Sequence, residues 1–65
     1  MNIEKGETKT IQTAKFGTVT ISMVSDSQLN VKWYQGKFEE KGFLDVVNGN
    51  CTVPQNVLME ISSAL

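Results

Sequence analysis

Apolar residues along this chain change their spacing once, at Pro54, its single proline. Upstream of that residue they alternate with polar ones, and downstream they recur every three to four positions. A period of two sends side chains to opposite faces of a strand, whereas the longer period gathers them on one stripe of a helix. A chain patterned this way folds as strands first and one helix last. Each layer then has one apolar side to hide against the other.

The clearest alternation is "TVTISMVS" (18–25), with Val19, Ile21 and Met23 on one side and Thr18, Thr20 and Ser22 on the other. "LNVKWY" (29–34) repeats it, with Leu29, Val31 and Trp33 inward and Asn30, Lys32 and Tyr34 outward. "ETKTIQTA" (7–14) alternates more weakly, Thr8, Thr10 and Gln12 against Lys9, Ile11 and Thr13. Its threonines favour a strand, because branching at the β-carbon suits a pleated surface. "KFG" (15–17) joins the first two runs as a hairpin, and "SDSQ" (25–28) is a run of turn formers. "QGKFEEKG" (35–42), bracketed by Gly36 and Gly42, is expected to be a hairpin connection with its tip near 39–42. An open loop, or a strand bulged at Gly36 that runs on through Phe38, are the alternatives. "FLDVV" (43–47) reads as a strand, "NG" (48–49) as a type I′ hairpin turn and "NCTV" (50–53) as the returning strand.

Proline fixes φ and has no N–H to donate, so Pro54 suits the first turn of a helix, with Thr52 a candidate cap. Val57, Leu58, Ile61, Ala64 and Leu65 then form an apolar stripe, and Gln55, Asn56, Glu60, Ser62 and Ser63 take the wet side. A helix this short is marginal alone in water and has to pack on something. The expected architecture is a small α+β domain: an antiparallel meander of four or five strands packed by one C-terminal helix, spanning 1–65 with residues 1–6 flexible. The expected core is Ile11, Val19, Ile21, Met23, Leu29, Val31, Trp33, Leu44, Val46, Cys51, Val53, Val57, Leu58, Ile61 and Leu65.

The usual staples of a 65-residue domain are missing. With Cys51 the single cysteine no intrachain disulfide can form, and with no histidine Cys51 alone cannot build a structural zinc site, which normally takes four Cys or His ligands. The core alone, or the core with an oligomer interface, must hold the fold, which makes a homodimer one expected arrangement. An unpaired cysteine and no apolar leader after Met1 fit a reducing cytoplasm. Nothing approaches the roughly 20 apolar residues of a membrane span.

The same absences narrow the chemistry. The commonest general base, histidine, is missing, and Cys51 has no partner that would make it a thiolate; it reads as a small buried hydrophobe. Glu39 and Glu40 are adjacent, so in a strand they point apart. Asp45, inside an apolar run, reads as an outward carboxylate beside Phe43. No glycine-rich phosphate loop, paired metal ligands or nucleophile elbow is present. The expectation is a chain that is not an enzyme and uses no cofactor and no metal.

Two binding readings follow. All six basic residues are lysine and the net charge is -1, which argues against specific DNA recognition, where arginine reads guanine in a fork. Single-stranded nucleic acid could still stack on Tyr34 and Phe38 between Lys32 and Lys37. The preferred reading is a protein-binding module. The sheet's second face would present Tyr34, either Phe43 or Leu44, and Phe38 among Lys32 and Lys37, an aromatic centre with a polar rim. Chains of this size without catalytic groups are often regulators or inhibitors, phage and mobile-element proteins among them, that occlude or bridge a partner protein.

Overall fold

The computed structural model describes residues 4–64. Four strands, β1 (Thr8–Thr13), β2 (Gly17–Met23), β3 (Gln28–Gln35) and β4 (Phe38–Asp45), are followed by one helix, α1 (Gln55–Ala64). The sheet is antiparallel and ordered β1-β2-β3-β4, so every strand lies beside its neighbours in sequence. This is the small α+β meander with a C-terminal helix that the period change implies.

Register assigns the faces. Ile11 sits opposite Val19, Ile21 opposite Val31, and Met23 opposite Leu29, which in turn faces Leu44 across β4. These share the side covered by α1. Val19, Ile21, Leu29, Val31 and Trp33 are buried there with Val53, Val57 and Ile61, and Ile11, Phe16, Met23, Leu44 and Leu58 pack around them. Phe16, which the sequence suggested only as part of a connector, is drawn in by the first hairpin turn. There Thr13 Oγ1 accepts from the Phe16 N–H (2.9 Å) and donates to the Gly17 carbonyl (3.0 Å). The buried indole N–H of Trp33 finds no acceptor among the described residues, so apolar packing has to outweigh its desolvation, about 1–3 kcal/mol.

Segment 35–42 differs from expectation. The connection is a two-residue turn at Gly36–Lys37, with Gln35 paired to Phe38, and 39–42 is strand, not tip. Gly36 has φ 66° and Lys37 is not in the left-handed region, the pattern of a type II′ turn with glycine first. Gly42 serves packing instead. A Cβ there would lie 3.0 Å from Thr52 Oγ1, 3.1 Å from the Trp33 ring and 3.1 Å from Val53 Cγ2. The missing side chain lets the segment before the helix lie close against β4.

The tail also departs from the sequence reading. β4 ends at Asp45, and Val46 and Val47 enter a turn, exposed. Val46 therefore leaves the expected core. No type I′ turn forms, because Gly49 has φ 80° but Asn48 does not join it. Instead the Asp45 carboxylate gathers the loop, Oδ1 accepting from the N–H groups of Val47 and Asn48 (3.0 Å each) and Oδ2 from the Asn48 side chain (2.9 Å). The returning segment makes a single bridge, Cys51 opposite Leu44, rather than a strand. Cys51 is exposed, not buried, because it sits outside β4 at the sheet's rim. Thr52 does not cap the helix: its hydroxyl accepts from the Phe43 N–H (2.9 Å) while its own N–H donates to the Phe43 carbonyl (2.9 Å). The Pro54 carbonyl receives the first helical bonds, from Val57 and Leu58 (3.1 Å each). Val57 and Ile61 are the buried residues of α1; Ala64 is exposed, and Leu65 lies outside the described residues, as do 1–3 of the segment expected to be flexible. Within that segment, the Gly6 N–H donates to the Met23 carbonyl (2.8 Å).

Candidate partner-binding face

Side chains one position out of phase with the core form the second face of the sheet. From β1 to β4 they are Thr8, Thr10 and Gln12; Thr18, Thr20 and Ser22; Gln28, Asn30, Lys32 and Tyr34; and Glu39, Lys41, Phe43 and Asp45. The one helix among the described residues packs on the other side, and on this side Thr52, from the segment before α1, borders the face beside Phe43. Several hydroxyls and amides satisfy one another across and along the strands. Thr8 and Ser22 share a hydrogen bond (3.1 Å), Thr18 donates to Gln12 Oε1 (3.1 Å) and the Gln28 amide donates to Asn30 Oδ1 (3.1 Å).

The charged and aromatic groups collect on β3 and β4. Lys32 stands directly opposite Lys41, and Tyr34 opposite Glu39. Glu39 Oε2 accepts from the Tyr34 hydroxyl (3.4 Å) and lies 3.8 Å from Lys32 Nζ. The Tyr34 ring lies over Gly17. Phe43, opposite Asn30, is half-buried where the covering segment 50–52 meets β4. Between these groups the face is hollowed by a concavity of ≈ 480 Å³, lined chiefly by Thr20, Ser22, Asn30, Lys32, Lys41 and Phe43. At its end, Asp45 is held below the ordinary carboxylate range, first by the Asn48 backbone N–H and then by the Asn48 side chain, against a weaker opposing effect of desolvation.

Of the residues singled out from sequence, Lys32, Tyr34 and Phe43 come together on this face. Phe38 does not join them: paired with Gln35 it projects from the core side beyond the helix, 74% exposed. Lys37 is in the tip of the β3–β4 turn. Tyr34 and Phe38 therefore project from opposite faces and form no common stacking surface. Lys41, Thr20, Ser22 and Asn30 belong to the hollow and were not singled out. Alternation continued through 38–45 would have found Lys41 and Phe43 together, and misplacing the turn hid it.

Among the described residues no group of three His, Cys, Asp or Glu converges as a metal would require, and no helix is long and apolar enough to cross a membrane. Compared with known protein families, curated proteins and solved structures, the chain matches none.

Proposed function

We propose that this chain is a non-catalytic protein-binding module that docks a partner protein on the open face of its sheet and acts by occluding or bridging it. The observation that carries this reading is the division of labour between the faces. α1 and Val53 cover the apolar side, while the opposite side holds a concavity of ≈ 480 Å³ flanked by a half-buried Phe43 and a lysine pair. A half-buried ring among hydroxyls, amides and ammonium groups has the make-up of an interface core with a polar rim. Scattered cations with no arginine supply little of the phosphate neutralisation on which nucleic-acid affinity rests.

Affinity capture with the full chain, followed by mass spectrometry, tests it. The wild type and a Met59→Ala control on the outer side of α1 should retain the same partner. A Tyr34→Ala/Phe43→Ala variant that still melts cooperatively should lose it. Equal capture by all three chains would remove the open face from the interaction. Tight binding of a short oligonucleotide that weakens steeply with salt would replace the protein partner with a single-stranded nucleic acid. Sedimentation of the isolated chain reports whether a second copy already occupies the face.

A further inference from the structure

From the charge of the hollow we infer that the partner presents an acidic, extended segment, whose carboxylates settle between Lys32 and Lys41. This rests on the reading of the open face as the docking surface and adds the chemistry of what docks.

Lys32 and Lys41 are directly opposed on β3 and β4. Like charges in that position repel and destabilise the pair of strands. Relief within the chain is partial and one-sided. Glu39 stands 3.8 Å from Lys32, and the same oxygen accepts from Tyr34. Lys41 has no carboxylate partner among the described residues. The other acid of this face, Asp45, has both oxygens engaged by its own loop. No carboxylate lines the concavity, so its charged groups are two ammonium ions, on a chain whose net charge is -1.

The rest of the lining selects the kind of anion. The Thr20 hydroxyl, the Asn30 NH2 and the capacity Ser22 keeps beyond its bond to Thr8 can pair with a peptide backbone or side chain, while Asn30 Oδ1 is taken by Gln28; Phe43 offers an apolar wall. An extended peptide alternates its side chains. Carboxylates at every second position can then point down at the lysines while the residues between them point away or lie against Phe43. A nucleic-acid backbone would need a longer track of cations than two lysines provide.

The test is titration of the isotopically labelled full chain, followed by its amide resonances, with three peptides of equal length that alternate leucine with glutamate, serine or lysine. The glutamate peptide should shift the amides of Thr20, Ser22, Asn30, Lys41 and Phe43. A Lys32→Gln/Lys41→Gln variant with an otherwise unchanged spectrum should weaken that binding at least tenfold. Lys41→Glu should abolish binding and raise the melting temperature, because it converts a repulsive cross-strand pair into an attractive one. Equal binding of the serine peptide would overturn the acidic segment while leaving the docking face in place. Shifts confined to α1 would remove both, and no shift with any peptide would overturn the extended acidic segment while leaving the docking face to the capture experiment. Oligothymidylate or inorganic phosphate moving the same amides at lower concentration than the glutamate peptide would overturn the peptide assignment.

Discussion

Adjacent residues of β3 meet opposite environments: Leu29, Val31 and Trp33 are almost wholly withdrawn from water, whereas Asn30 is exposed and Lys32 and Tyr34 are half-covered. The two faces use the same backbone and hydrogen bonds, so what separates them is the partner each one has. One is covered by α1 and by Val53; the other carries no such layer among the described residues, with Thr52 bordering its hollow. Stability should therefore be concentrated on the first face and recognition on the second. Substitutions can break or sharpen that contrast.

The largest effect should come from Ile61→Ala, which empties a fully buried position between helix and sheet and should cost about 2–5 kcal/mol in denaturant unfolding. A loss under about 1 kcal/mol would mean that the helix is not the lid of the core. Gly42→Ala comes next. Its new methyl group would press on Thr52, Trp33 and Val53, and overpacking of this kind costs about 1–3 kcal/mol. Tyr34→Ala, on the open face, should stay under about 1 kcal/mol in unfolding while reducing partner capture. A larger loss of stability would place Tyr34 in the structural half of the molecule.

The Asp45 loop gives a pH test. Its carboxylate is more acidic folded than unfolded, so the stability it lends is present above the ordinary value of 3.8 and fades as pH falls through the folded value. The Val47 and Asn48 amide resonances should therefore titrate below 3.8, and titration at or above it would show that the loop does not hold the charge. The smallest effect belongs to Cys51→Ser, at an exposed rim position, which should shift unfolding by no more than about 0.5 kcal/mol.

The covered face was legible in the sequence because a buried strand face and a packed helix stripe both impose strict spacing on apolar residues. Val19, Ile21, Leu29, Val31, Trp33, Val57 and Ile61 follow from it, whereas Val53 was expected in a returning strand and is buried instead in the bend before α1. What escaped was set by contacts distant in sequence. Gly36 and Gly42 look alike in "QGKFEEKG", yet one supplies a positive φ and the other makes room for Val53 and Trp33, and no local rule separates them. In "DVVNGN" the expected two-residue turn gave way to a wider loop, because the Asp45 side chain binds two backbone N–H groups ahead of it. Thr52 likewise bonds to β4 rather than to its own helix. The open face was partly legible: alternation alone put Lys32 and Tyr34 there, but locating Lys41 required the true turn.

Because each strand pairs with its immediate successor, most of the sheet can assemble by successive local closures, each linking stretches only a few residues apart. The contact of α1 with β1 is different, since it joins the last element to the first. Short-range closures form quickly and long-range ones wait on the entropy of a large loop. The local hairpin pairings should therefore form ahead of the α1–β1 contact, with helix docking as the closing step. Lengthening the 46–54 connection would then leave the early phases of refolding untouched and slow only the last.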